Sequence, residues 1–189
     1  METSDIIFSV FLGIGLAAAV GFRVFLPLLV LSLAGYLDCF PLAENWAWVG
    51  SLTAVITLSV ATLIEIFGYY IPWVDNLLDT IAVPLAGIAG TAVMLATVSD
   101  LSPLITWSLA IIAGGGTAAV IKGNTSAIRL TSSATTGGIA NPIVATAETG
   151  TSIVLTLVSI LFAPLAIILV LFIFYLMYKF FKKLRKKHS

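Results

Sequence analysis

Charge is what this sequence has least of. Asp, Glu, Lys and Arg make up 10% of its 189 residues, against 60% hydrophobic ones, whereas a soluble domain carries about 25% charged residues. Soluble burial cannot absorb so much apolar surface, so the composition reads as an integral membrane protein. Cysteine is nearly absent too. Cys39 stands alone, which excludes an internal disulfide framework and any multi-cysteine metal site. The one histidine, His188, sits in the tail and is read as a surface residue rather than a ligand. Basic residues are scarce everywhere but the end. Six of the nine (Lys179, Lys182, Lys183, Arg185, Lys186 and Lys187) fall in the last eleven positions, leaving Arg23, Lys122 and Arg129 for the rest. With a formal net charge of zero, the balance does not suggest nucleic acid. The basic tail reads as a cytoplasmic end facing lipid headgroups.

Catalytic signatures are missing as well. There is no HExxH, no GxSxG, and the spacing around Gly114-Gly115-Gly116 and Lys122 is not that of a phosphate-binding loop. The sequence therefore points away from an enzyme, and no cofactor or metal is expected. The one metal alternative is a carboxylate-only site for a hard cation, built from Glu65, Asp75, Asp79 and Glu148.

What the sequence has is long apolar runs. The acidic METSD start lacks a basic leader, so the first run is not expected to be a cleaved signal peptide. That run, residues 6–35, exceeds the roughly 20 residues that cross a bilayer. Gly21, Arg23 and Pro27 inside it predict a tilted, kinked or broken helix. After a loop with Asp38 and Glu44, anchored by Tyr36, Trp46 and Trp48, a second span covers about 48–71 and carries Glu65. Ile71 to Asp79 reads as a proline-led amphipathic elbow capped by Trp73, with Asp75 and Asp79 on one face near the interface. Third and fourth spans are expected at about 83–98 and 104–121, separated by a loop around Asp100. Residues 141–178 are long enough for two spans turning at Phe162-Ala163-Pro164, and one bent helix there would make the total five instead of six. The fold class is thus an all-α polytopic membrane protein of about six transmembrane helices. Residues 1–178 form one transmembrane domain and 179–189 a basic cytoplasmic tail.

Six spans with the tail in the cytoplasm put both termini inside and keep Lys and Arg out of the outer loops, as the positive-inside rule prefers. An internal echo overlays Arg23 on Lys122, Glu65 on Glu148 and Pro84 on Pro164. It suggests a 3+3 inverted-topology repeat with interrupted helices, units 6–98 and 104–178, the usual build of a secondary transporter. Chance alignment of Ala/Gly/Leu-rich sequence is the plainer account of the same echo.

Several strings also resemble a known family. GLAAAVGFRVFLPLLVLSLAG, EIFGYYIPWVDNLLD, AGGGTAAVIK and SSATTGGIANP are similar to an uncharacterised bacterial integral-membrane family, domain of unknown function 4126. The resemblance covers most of the chain. It implies a multi-span protein of the bacterial cytoplasmic (inner) membrane and supplies no activity or residue roles.

Function is expected where polar residues interrupt the grease. An ionisable side chain at the centre of a spanning helix costs about 2.5–3.5 kcal/mol, so such residues face the bundle interior and are functional candidates. Arg23, Glu65, Lys122, Arg129 and Glu148 are the deepest of these, with Asp75 and Asp79 secondary. The segment from Thr131 to Asn141, with Thr135, Thr136, Gly137 and Gly138, is expected to unwind and offer backbone groups to a solute. Together they frame a pathway for an ion or small solute, anionic solutes included, through a transporter or channel. The competing account is a non-transporting scaffold or lipid-handling accessory protein, with Arg23–Glu65 and Lys122–Glu148 as static ion pairs. Expected partners are the lipid bilayer, the solute and a second copy packed through small-residue faces.

Overall fold

A helix that is apolar all round lies either in lipid or in a protein core, and α1 (Thr3–Phe22) takes the core. Leu12, Leu16, Ala17, Ala18, Ala19 and Val20 are all fully buried, which makes α1 the central post. The other helices are α2 (Phe25–Tyr36), α3 (Leu52–Gly68), α4 (Pro72–Thr97), α5 (Pro103–Leu109), α6 (Gly116–Thr136), α7 (Asn141–Leu161) and α8 (Ala163–Lys187), and of these α2, α4, α6, α7 and α8 pack on it. A short 3-10 turn at Glu44–Gly50 precedes α3, and a π-helical turn at Ala110–Gly115 joins α5 to α6. This computed structural model describes residues 3–98 and 101–187. All regular structure among them is helical.

Among the described residues, five helical segments are long and apolar enough to cross a membrane, and the bent pair Glu44–Gly50 with Leu52–Gly68 makes six. The all-α polytopic membrane fold is therefore the one the composition implied. The chain also turns at Phe162 between α7 and α8, as expected.

The first apolar run breaks between α1 and α2, at Arg23 and Val24. Pro27 explains the position. A proline inside a helix cannot donate to the carbonyl four residues back and crowds it, and that carbonyl belongs to Arg23. The chain then reverses. At the far end of α2, Gly35 lies against Gly50 and Leu42, and Ala43 donates its N–H to Ala96 O at 3.0 Å, close to the end of α4. Gly13 of α1 faces Met94 and Thr97 at that same end. So α1 and α2 form a helical hairpin with Arg23 at its buried tip.

Helix directions follow from paired contacts. Arg23 meets Ala145 and Thr149 of α7, Ala19 O accepts from Ser152, and Gly15 faces Ser159, so α1 and α7 are antiparallel. Because α7 and α8 are antiparallel neighbours, with Ala147 and Leu155 across a groove from Phe172 and Leu169, α8 runs parallel to α1. The two ends of the chain therefore point to opposite ends of the bundle. This departs from the expectation that both termini share the cytoplasmic side. The cause is the α2 return stroke, which the apolar run conceals by reading as one span.

The same geometry bears on the expected 3+3 inverted repeat. Gly21 lies on Ala118 and Ile121, while Ala110 clusters with Val10 and Ile14, so α1 and α6 run the same way. An inverted pair would run in opposite directions. Close packing of α4 on the π turn that leads into α6 uses small residues. A methyl added at Gly114 would sit 2.6 Å from Gly90 O, and one at Gly115 would sit 2.8 Å from Gly87 O.

Three local expectations change. The Ile71–Asp79 elbow is the first two turns of α4, started by Pro72 in the position where its missing donor is harmless. The Ser/Thr-rich stretch does not unwind at Thr131, because α6 continues to Thr136 and stops only at Gly137 and Gly138, with φ of 62° and 86°. The basic tail continues α8 without interruption to Lys187. The Asp100 loop, the Trp73 side chain and His188 lie outside the described residues.

Candidate functional site

The broken ends of a buried helix need hydrogen-bond partners, because its terminal amides and carbonyls have none of their own. Here charged side chains supply them. The Glu65 carboxylate, one turn from the end of α3, accepts from Val24 N–H at 2.7 Å and from Phe25 N–H at 2.9 Å. It thereby caps the start of α2, where negative charge also meets the positive end of the helix dipole. On the other side of the break, Lys122 Nζ donates to Phe22 O at 3.3 Å. A cation thus closes the carboxyl end of α1 and an anion the amino end of α2.

Arg23, between them, donates from Nε to Thr149 Oγ1 at 2.9 Å and from Nη2 to Ala145 O at 2.8 Å. Its guanidinium also lies 4.0 Å from Glu148. Glu148 is held chiefly by Arg129, whose Nε donates to Oε1 at 3.0 Å while Nη2 donates to Oε2. This two-pronged geometry is the strongest form of carboxylate recognition. Arg129 Nη1 reaches Asp75 Oδ1 at 2.6 Å, and Asn141 Nδ2 donates to Asp75 Oδ2 at 2.8 Å. Asp79, half-buried at the edge, accepts at Oδ1 from Ser126 at 3.3 Å and from the Tyr69 hydroxyl at 3.4 Å.

Tyr69 is the hub of the group. Arg129 Cζ stands 4.1 Å, Arg23 Cζ 4.4 Å and Lys122 Nζ 4.9 Å from the centre of its ring. An aromatic face attracts cations, so one ring helps to hold three like charges close together, and the carboxylates around them offset the repulsion. Arg23, Lys122, Arg129 and Asp75 are at most 1% exposed. A cavity of about 50 Å³ adjoins Glu65 and Tyr69, walled by Val24, Phe25, Leu78 and Ile81.

Of the residues singled out from sequence, Arg23, Glu65, Lys122, Arg129, Asn141, Glu148, Asp75 and Asp79 come together. The ion pairs among them are Arg129–Asp75, Arg129–Glu148 and Arg23–Glu148. Glu65 and Lys122 turn instead to backbone groups of the helix break, which replaces the Arg23–Glu65 and Lys122–Glu148 pairing. Asp75 is buried rather than interfacial, since α4 begins early enough to lay it on Arg129. Thr135, Thr136, Gly137 and Gly138 stay outside the group. Thr135 and Thr136 bond their own helix at Thr131 O and Ser132 O, 2.8 Å each, and the glycines form the α6–α7 turn. Tyr69, Thr149 and Ser126 escaped the sequence reading. Their signal was helical spacing: Tyr69 falls four residues after Glu65, and Ser126 lies between Lys122 and Arg129.

Among the described residues, no three His, Cys, Asp or Glu side chains are grouped as metal ligands. The carboxylates are interleaved with cations instead, so the carboxylate-only metal site finds no support in this geometry.

A family model described as "Domain of unknown function (DUF4126)" matches residues 10–183. No curated protein and no solved structure matches the chain.

Proposed function

Given that the chain belongs to the family of domain of unknown function 4126 and folds as an all-α polytopic membrane protein, we propose that it is a small transporter for an ion or small solute. One observation carries the reading. A hairpin of interrupted helix is inserted into the bundle, and its broken ends are held by ionisable side chains rather than by backbone. Interrupted helices buried inside a membrane protein are where transporters place their binding sites, because freed amides and carbonyls can exchange partners there. A static kink needs no charge to hold it. Caps of opposite sign on α1 and α2 can be displaced by a passing ion, which couples occupancy to hairpin position. The membrane is the bacterial cytoplasmic membrane, with the basic end of α8 inside and the start of α1 on the opposite face.

Reconstitution tests this. Liposomes bearing the purified protein are challenged with osmotic gradients of monovalent salts and with a pH step reported by an entrapped dye. The reading expects at least one species to cross about tenfold faster than in empty liposomes, and Glu65→Gln to abolish the gain while the protein remains folded. Control-level flux for every species would overturn it.

The depth of burial supports a second reading, in which the network is a structural clamp in a scaffold protein. Arg129 with Asp75 and Glu148 has the geometry of a permanent tie. Flux at control level with a strong loss of stability in Arg129 variants is what that reading requires.

A further inference from the structure

Charge in the network does not balance. Arg23, Lys122 and Arg129 share it with four carboxylates, Glu65, Asp75, Asp79 and Glu148. With every group ionised, the network carries one surplus negative charge, and a surplus charge beside so many buried groups costs energy. Three carboxylates are firmly held: Glu65 by two amides, Asp75 by Arg129 and Asn141, Glu148 by Arg129 with Arg23 nearby. Asp79 differs. It accepts only two hydroxyl hydrogen bonds, both long and both at Oδ1, and has no ion pair within 4.0 Å among the described residues. It is also half-buried, at the edge of the cluster.

A second observation concerns orphaned polar atoms. Arg23 Nη1 and Asn141 Oδ1 have no hydrogen-bond partner among the described residues, on side chains 0% and 6% exposed. One is a donor and the other an acceptor. A water molecule, which both donates and accepts, can serve either atom and so carry a proton through the cluster, whereas a bare metal cation could serve only the Asn141 oxygen. Resting on the transport reading, we propose that the network holds one exchangeable proton, which enters and leaves at Asp79, so that the ion coupled to transport is a proton. On loading, the proton bonds to a carboxylate oxygen of Asp79 and removes the surplus charge. On release, it returns to water and leaves a carboxylate facing Lys122 and Arg129 of α6, with Asp75 of α4, Glu148 of α7 and the Tyr69 hydroxyl beside it.

Infrared difference spectroscopy on the protein in lipid nanodiscs tests the proposal without a known substrate. The wild type should show a protonated-carboxyl stretch at neutral pH that shifts in heavy water and vanishes on alkalinisation. Asp79→Asn, close to isosteric, should lose the whole band. Should that variant fail to fold, Tyr69→Phe keeps the ring and removes one hydroxyl donor, and must move the band. Absence of the band, its survival in Asp79→Asn, or its loss when sodium replaces choline at fixed pH would each overturn the proton site. The same preparations in liposomes separate the two claims. A band without flux of any species sinks only the transport reading, and flux indifferent to a pH gradient sinks only the proton.

Discussion

Glu65 lies 41 residues from Val24 in sequence and 2.7 Å from its amide in space. The pair closes a helix break that Pro27 opens, and it ties the tip of the α1–α2 hairpin to α3. A neutral amide cannot do the same work, since one of its two terminal atoms is a donor that would face Phe25 N–H. Glu65→Gln is therefore expected to cost about 1–3 kcal/mol of stability, the range for orphaning a buried donor. Thermal unfolding in nanodiscs reads this. Unchanged stability would mean that the cap is not formed.

Arg129 presents a different case, because three of its nitrogens serve two carboxylates at once. Removing one partner from a buried ion pair costs about 3–5 kcal/mol, since the remaining charge is left unpaired. Arg129→Met should therefore destabilise severely. Arg129→Lys should recover only part of the loss, because a point charge cannot span both acids. Adding Glu148→Gln to Arg129→Met removes one stranded carboxylate, and a double-mutant cycle should report coupling of about 0.5–3 kcal/mol. Strict additivity would remove Arg129–Glu148 from the list of structural ties.

Which parts of this architecture could be read from the chain follows from what costs energy locally. Arg23, Glu65, Lys122 and Glu148 stand out because charge in an apolar run must find company, and they do converge. Pro27 marks the break because its effect reaches only four residues. The partners were not legible, because pairing depends on helix direction, and the α2 return stroke is hidden inside one continuous apolar run. Asp75 and Asp79 looked interfacial for a similar reason: a proline followed by acids reads as a surface turn until Arg129, 54 residues on from Asp75, is seen to reach in. The hydroxyls of Thr131, Thr135 and Thr136 suggested an unwound binding segment. They satisfy themselves on carbonyls of their own helix, a local option that leaves no trace in the residue pattern.

Glycines of the π turn and of α6 should divide sharply by position. A methyl at Gly114 would press to 2.6 Å on Gly90 O, backbone that cannot swing aside, whereas at Gly123 nothing lies within 4 Å. Gly114→Ala should prise α4 from α6 and lower stability by about 1–3 kcal/mol, as overpacking does. Gly123→Ala should be neutral or stabilising by up to about 1 kcal/mol, through helix propensity. Equal effects at both sites would show that α4 and α6 do not pack through Gly90 and Gly114.

Chain direction offers the most decisive check on the fold. Cys39 follows the carboxyl end of α2, at the end of the bundle where Gly35 meets Gly50 and where the start of α1 also lies. Thr136 is at the other end, beside the α6–α7 turn, and both residues are exposed. An impermeant maleimide should therefore label native Cys39 in intact spheroplasts, and Thr136→Cys (in a Cys39→Ser background) only after lysis. Ser4→Cys should behave like Cys39, and Lys183→Cys like Thr136→Cys. Labelling of Ser4→Cys and Lys183→Cys from one side would restore an even number of crossings, straighten the α1–α2 hairpin into a single span, and leave Arg23 with no tip to occupy.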